Sequence, residues 1–211
     1  LQDVQDLPLN WEMLPGETSP RWLTVSVMPA VDRRMFWIRP VTATAGVAPL
    51  VVWDTLAIAE YLAEKFPQHG LWPSDAAARA RARSICAEMH SGFTGLRSNC
   101  PMNIEADLPQ VGALVWRDKP AVRADVARLV DMWTALLQEH GGPMLFGEFT
   151  VADAYFAPVC MRLKSYHLPV TQNIAAYIER VCALPGVAAW IKDALEENDF
   201  RDFEEPYRLS R

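Results

Sequence analysis

Between residues 56 and 66 the apolar positions follow the spacing of an α-helix. They are Leu56, Ile58, Ala59, Leu62, Ala63 and Phe66. One face of this segment is therefore predicted to pack inward. A short apolar run at 51–53, predicted as a strand, leads into the helix through Asp54 and Thr55. The first amides of a helix have no partner within it, so those of Asp54, Thr55 and Leu56 are expected to point outward, where a carboxylate can bind. On the Asp-Thr pair alone, an ordinary N-capped helix is favoured over a ligand site.

From residue 71 onward the apolar residues keep the helical period in five successive segments with short joints between them. The first segment is predicted to start at an N-cap, Ser74, and to end near Cys100. The apolar stripes are, in order, Ile85, Met89, Phe93 and Leu96; Val122, Val126, Leu129, Val130, Trp133, Leu136 and Leu137; the residues after Thr150; Ile174, Tyr177, Ile178 and Val181; and Val187, Trp190, Ile191 and Leu195. We therefore predict an all-helical domain over residues 70–211.

The third of these helices begins with a pattern typical of a reciprocal cap. The hydroxyl of Thr150 can accept a hydrogen bond from the amide of Asp153, while the carboxylate of Asp153 accepts one from the amide of Thr150. Such caps contribute about 1 kcal/mol to stability. Asp153 is therefore interpreted as a folding residue rather than a catalyst.

The first fifty residues show no sustained helical period. They hold six of the sixteen prolines and no Tyr, Cys, His or Lys. Alternation of apolar and polar residues predicts two short strands, at 23–28 and 35–38. These features indicate a region of α/β character over residues 1–69, together with the helix that starts after Asp54.

Charge and hydropathy exclude several classes of partner. The net charge of the 211-residue chain is -6 and no basic cluster occurs, which argues against binding to nucleic acid. No apolar run approaches the roughly 18 residues of a membrane span, and no basic start followed by a hydrophobic core marks a secretory signal. A cytoplasmic protein without a membrane partner is the expectation.

The four cysteines, Cys86, Cys100, Cys160 and Cys182, are far apart in the sequence. None pairs with another at two-residue spacing, and no His lies at ligand distance along a helix, which argues against zinc and against a disulfide framework. We expect buried free thiols and no metal site.

Three blocks together resemble bacterial glutathione S-transferases. They are the Asp54-Thr55 pair, the run LWPSDAAARARARSICAEMHSGFTGLRSNCPMN at 71–103, and GEFTVADAYFAPV at 147–159, in which Gly147, Thr150 and Asp153 match the family's helix-start motif. The resemblance covers residues 50–200 and does not extend to 1–49. It implies a thioredoxin-like, glutathione-binding domain over 1–69, shortened or divergent, followed by an all-α domain over 70–211. In this family the residues that match Asp54 and Thr55 hold the γ-glutamyl end of glutathione.

The resemblance also implies the chemistry of glutathione transfer to a small electrophile, as in detoxification, with glutathione as co-substrate. In the family a hydroxyl or thiol activates the glutathione thiol, and the thiolate is the nucleophile. The activating residue is not recognisable here, because the family's catalytic motif has no clear counterpart. Residues 18–23, TSPRWL, distantly resemble the Ser-containing stretch of some members and nominate Ser19, but a proline-assisted turn explains the same residues.

Two polar residues of the first helical segment are weaker candidates for the electrophile site. His90 and Arg97 fall seven positions apart and therefore on one face of a continuous helix. Residues of this kind are more often part of an exposed surface than of a substrate pocket.

Two other functions stay open at this stage. One is a non-catalytic binding or dimerisation protein that keeps the helical domain after loss of the activating residue. The other is a glutathione-dependent isomerase, although the Ser-Ser-Cys signature of those enzymes is missing. The family resemblance implies a homodimer, for the transferase as for the two alternatives.

Overall fold

The computed structural model describes residues 23–28, 35–40, 52, 54–196, 200 and 205–208. The chain divides into two compact units, Leu1–His69 and Gly70–Arg211. The first contains the described strands and one helix, and the second is built from helices.

In the first unit, β1 (Leu23–Met28) pairs in antiparallel fashion with β2 (Met35–Pro40), in a register that runs from Leu23 opposite Pro40 to Met28 opposite Met35. Both predicted strands are confirmed, the second extending to Pro40. Helix α1 (Thr55–Lys65) follows, and a short 3-10 turn covers Pro67–His69. The predicted helix after Asp54 is therefore also present. The run predicted as a strand at 51–53 lies outside the described residues, apart from position 52.

The second unit contains seven helices among the described residues. They are α2 (Ala76–Ser91), α3 (Thr94–Asn99), α4 (Pro109–Asp118), α5 (Pro120–Glu139), α6 (Val151–Ser165), α7 (Gln172–Ala183) and α8 (Pro185–Glu196). Trp133 of α5 lies at the centre of the core, fully buried, with its ring edge-on to Phe156 of α6 at 5.3 Å and to Tyr177 of α7 at 5.1 Å. These three aromatic side chains join α5, α6 and α7, since edge-to-face pairs add to the stabilisation from burial.

The predicted single helix from Ser74 to about Cys100 is wrong in two respects. Its N-cap is Asp75, whose carboxylate accepts from the amide of Ala78 at 2.8 Å. The helix also breaks at Gly92 and Phe93, because Phe93 has a φ of 56°, in the left-handed region. At Gly92 a β-carbon would lie 2.6 Å from the carbonyl oxygen of Glu88, so this sharp turn requires glycine.

Helix α4 was not predicted from the sequence. It begins at Pro109, a residue that suits the first helical position because it lacks an amide hydrogen. At Gly112 a β-carbon would lie 1.7 Å from the carbonyl oxygen of Tyr166. The backbones of α4 and of the C-terminal end of α6 are therefore in direct contact at this glycine.

The last helix, α8, has no fully buried residue, although its predicted apolar stripe is partly covered. Within the described residues, none of the helices is by itself long and apolar enough to span a membrane. Only α7 and α8 taken together, across a bend of 75°, satisfy that test of length and composition.

Candidate functional site

Asp54 caps the start of α1. Its Oδ1 accepts hydrogen bonds from the amides of Leu56 at 2.9 Å and Ala57 at 3.4 Å. The Leu56 amide was expected to be available to a ligand. That expectation is wrong, because this amide donates to the carboxylate of Asp54. Asp54 also has a φ of 74° and a ψ of 130°, a backbone conformation that is costly for a residue with a β-carbon.

Thr55 is the first residue of α1, and both it and Asp54 are exposed. Its amide is one of the helix-start donors that no carbonyl of the helix can satisfy, and the helix dipole places partial positive charge at this end. The hydroxyl and the amide of Thr55 thus provide two donors at an exposed helix start. Such an arrangement can bind a carboxylate.

The cysteines are unsuited to act as the activating group. Among the described residues none of the four forms a disulfide; Cys86, Cys100 and Cys160 are buried and Cys182 is partly buried. The expectation of thiols outside any disulfide is confirmed, and that of burial is confirmed for three of them. Burial raises the pKa of Cys100 to about 12 and raises those of Cys160 and Cys182 as well. These three side chains are therefore protonated, not thiolates, near neutral pH. The candidate Ser19 lies outside the described residues.

His90 and Arg97 do not share a helix face, because α2 ends at Ser91 and Arg97 belongs to α3. The guanidinium of Arg97 turns back to the end of α2. Its Nε donates to the carbonyl of Gly92 at 3.1 Å, and its Nη2 donates to the carbonyls of His90 at 3.4 Å and of Met89. Arg97 therefore satisfies the last carbonyls of α2, as a basic side chain at a helix C-terminus does.

Asp153 lies at the buried start of α6, where both halves of the predicted capping box are present. Its Oδ2 accepts from the amide of Thr150 at 2.9 Å, and the Thr150 hydroxyl accepts from the amide of Ala152 at 3.3 Å. Two further bonds were not predicted: Oδ1 accepts from the amide of Leu145 at 3.1 Å and from the hydroxyl of Tyr177 at 3.0 Å. Burial raises the pKa of this carboxyl despite these donors. Its bonds go to structural groups, so the predicted folding role is confirmed.

An acidic side chain also caps α3, which was not predicted from the sequence. Oδ2 of Asp125, on α5, accepts from the amide of Leu96 in the first turn of α3 at 2.8 Å. The two residues are 29 positions apart, and no local pattern links them. No cluster of three His, Cys, Asp or Glu side chains that could hold a metal ion occurs in the parts of the chain that the structure describes.

The helical domain matches a known family. Residues 76–193, more than half of the chain, match the model described as "Glutathione S-transferase, C-terminal domain". No curated protein sequence matches the chain. Among solved structures, a glutathione transferase homologue from Burkholderia gl BGR1 with bound glutathione aligns with a TM-score of 0.53 and 26% identity, covering 77% of this chain and 74% of that one. A homologue from Sulfitobacter, also with bound glutathione, aligns with a TM-score of 0.52 and 24% identity, covering 76% and 73%.

The second unit is thus an all-helical domain of the glutathione S-transferase type. The chain belongs to the glutathione S-transferase family.

Proposed function

We propose that this protein is a glutathione transferase that binds glutathione at the start of α1 and transfers it to a small electrophile. The observation that supports this most directly is the geometry of Asp54 and Thr55. A costly backbone conformation at the capping Asp54 presents an exposed hydroxyl and amide of Thr55 at the positive end of the helix. Strained backbone of this kind is concentrated at ligand sites.

In this proposal the first unit, residues 1–69, is a shortened or divergent thioredoxin-like domain that binds glutathione, and residues 70–211 form the helical domain. The division follows the two compact units, and the alignment with the Burkholderia homologue reaches into the first of them. The alignment covers 77% of the chain, which is more than residues 70–211 can supply, so it includes part of the first unit. That homologue was crystallised with bound glutathione.

The chemical roles follow from charge and from thiol reactivity. Thr55 would receive a carboxylate of glutathione by two hydrogen bonds, with Asp54 fixing the helix start. The thiol of glutathione would lose its proton and attack the electrophilic carbon of the second substrate, and the leaving group would depart with the electron pair of the broken bond. Cys100, Cys160 and Cys182 keep their protons near neutral pH, which supports glutathione rather than one of these thiols as the source of the reacting sulfur.

The proposal includes a homodimer in the cytoplasm, where detoxification by glutathione transfer would take place. Family membership supports the dimer, and four described cysteines outside any disulfide fit a reducing compartment. Light scattering coupled to size-exclusion chromatography measures the mass directly; a mass near 23.7 kDa would mean a monomer and contradict the dimer.

The test of the function is a calorimetric titration of the full chain with glutathione, followed by a conjugation assay with 1-chloro-2,4-dinitrobenzene. Saturable binding together with release of chloride is the expected result. Binding without conjugation of this or other electrophiles would favour the non-catalytic alternative, and a folded protein that does not bind glutathione would overturn the proposal.

A further inference from the structure

An open cleft of about 490 Å³ lies in the helical domain beside the C-terminal end of α6. Residues 104–107, in the loop before α4, form one wall, and the N-terminal half of α7 forms another. The apolar lining comes from this loop, from α6, from the turn after it and from α7. Its main members are Ile104, Met161, Leu163, Val170, Ala175 and Ile178. Segments distant in sequence therefore build the cleft within a single unit of the chain.

The loop wall of the cleft is held at both of its ends by Ser165. The hydroxyl of Ser165 donates to the carbonyl of Asn103 at 2.7 Å, and its carbonyl accepts from the amide of Leu108 at 2.8 Å. Within the loop, Oδ1 of Asn103 accepts from the amides of Glu105 at 3.1 Å and Ala106 at 3.0 Å. These bonds fix the backbone of the wall. A ligand would thus enter a preformed cleft and would not have to order a loop.

Residues 205–208 also hold this loop. Nη2 of Arg208 donates to the carboxylate of Glu105 at 3.3 Å, and the side-chain amide of Asn103 donates to the carboxylate of Glu205. The two ends of the segment are themselves joined, because Nε of Arg208 donates to Glu205 at 2.8 Å. A second part of the chain therefore positions the wall.

Among the described residues, five charged side chains line the cleft, and each is paired within the protein. Nζ of Lys164 lies 2.9 Å from the carboxylate of Glu179, and the ring of His167 shares a hydrogen bond with Asp107. The fifth is the loop glutamate that pairs with Arg208. Three carboxylates thus stand against one lysine and one histidine, which disfavours an anion. A cation would have to displace a basic residue from its partner.

The charged and the apolar lining residues differ in depth. All five charged residues are exposed, whereas Met161, Leu163 and Ile178 are buried. The cleft therefore has an apolar floor and a rim whose charges are already compensated.

We propose that this cleft binds a small, uncharged, apolar organic molecule. Pockets for such ligands measure about 300 to 1,000 Å³ and are lined mainly by apolar groups. Removal of apolar surface from water drives the binding, and the flexible thioether of Met161 can adapt to the shape of the ligand. This proposal does not depend on the proposed transferase function.

A ligand in the cleft would contact α6, α7 and the loop before α4 at once. Since it would bind the folded chain and not the unfolded one, it would raise the melting temperature. Thermal stability thus offers a readout besides affinity.

The experiment is a fluorescence titration of the full chain with N-phenyl-1-naphthylamine, an uncharged aromatic amine. We expect saturable binding and a higher melting temperature. Ala175→Phe places a ring in the cleft from an exposed position of α7, so it should weaken binding by about tenfold or more and abolish the rise in melting temperature.

Ala176→Phe is the matched control. Ala176 is the next residue of α7, is also exposed, and does not line the cleft; its substitution should leave the affinity unchanged. The matched ligand is 8-anilino-1-naphthalenesulfonate, which differs from the first ligand by a sulfonate. Its affinity for the cleft, measured as the binding that Ala175→Phe removes, should be at least about tenfold weaker because of the three carboxylates.

Four results would overturn the site: no saturable binding by the folded parent, undiminished affinity in Ala175→Phe, an equal loss in Ala176→Phe, or equal affinity of the cleft for the sulfonate. If Ala175→Phe does not fold, Val170→Phe, in the turn before α7, decides by the same criteria. Light scattering on Ala175→Phe gives a further check. A mass that differs from that of the parent would show that the cleft faces a second copy of the chain, which would also overturn the proposal.

Discussion

The hydroxyl of Tyr177 donates a hydrogen bond to Oδ1 of Asp153 at 3.0 Å, where both side chains are fully buried. This bond ties α7 to the first turn of α6. Burial raises the pKa of the Tyr177 hydroxyl well above its usual range, and the neighbouring Asp153 carboxyl raises it further. The hydroxyl therefore keeps its proton and remains the donor at neutral pH.

Tyr177→Phe removes only this hydroxyl and keeps the ring in contact with Trp133. We expect the free energy of unfolding to fall by about 1 to 3 kcal/mol, because a buried carboxyl loses a donor that water cannot replace. Denaturant unfolding measures the change. Tyr207→Phe is the control, since the exposed Tyr207 hydroxyl bonds to the carbonyl of Asn99; its effect should stay within about 0.5 kcal/mol. Equal losses of unfolding free energy in the two variants would show that the buried bond contributes no more to stability than the exposed one.

Asp153→Ala removes the capping carboxylate and leaves the amides of Thr150 and Leu145 without their partner. The melting temperature and the yield of folded protein should both fall, since two buried amides lose their acceptor. Affinity for glutathione should not change in the protein that does fold. Thermal melts test the loss of stability, and calorimetry with glutathione tests the unchanged affinity. A variant as stable as the parent would contradict the capping role.

The same carboxyl predicts a dependence on pH. Burial raises the pKa of Asp153 above its ordinary 3.8, so the unfolded chain loses this proton first as the pH rises. Its contribution to stability is fully present below the unfolded-state pKa and is lost as the pH rises through the folded-state pKa. Asp153→Asn does not titrate. The difference in unfolding free energy, parent minus Asp153→Asn, should therefore decrease as the pH rises above about 4, the unfolded-state pKa; a constant or increasing difference would be inconsistent with a raised pKa.

The contact between α4 and α6 predicts a large effect of one methyl group. In Gly112→Ala the new carbon would lie 1.7 Å from the carbonyl oxygen of Tyr166, and backbone must move to make room. We expect a loss of more than about 3 kcal/mol or no folded protein. Gly186→Ala is the control. Position 186 lies in the first turn of α8 with nothing within 4 Å, so alanine there should stabilise by up to about 1 kcal/mol. A folded Gly112→Ala variant with the stability of the parent would contradict the close approach.

The elements with a strong local signal could be predicted from the sequence. Helix α5 has an apolar stripe over five turns, and the cap at Thr150 needs only residues within α6. The break between α2 and α3 could not be predicted in this way. Apolar residues keep the helical spacing across Gly92, and the new helix that starts after Phe93 receives its cap from Asp125, a residue distant in sequence.

The candidate site could also be predicted only in part. The position of Asp54 and Thr55 at a helix start could be predicted from the Asp-Thr pair and the apolar period after it. The backbone angles of Asp54 and its hydrogen bond with the Leu56 amide could not be predicted, because capping by the side chain and binding of a ligand use the same amides.

Thr55→Ala tests the glutathione site. Removal of the hydroxyl should weaken binding of glutathione by about 1 to 3 kcal/mol, because a hydrogen bond to a charged carboxylate is lost. Thermal stability should hardly change, since Thr55 is exposed and the capping carboxylate of Asp54 remains. Thr94→Ala is the matched control: Thr94 is also an exposed threonine at the first position of a helix. Calorimetry measures the affinity for glutathione of the parent and of both variants. An unchanged affinity in Thr55→Ala would exclude Thr55 from the glutathione site. So would an equal loss of affinity in Thr94→Ala.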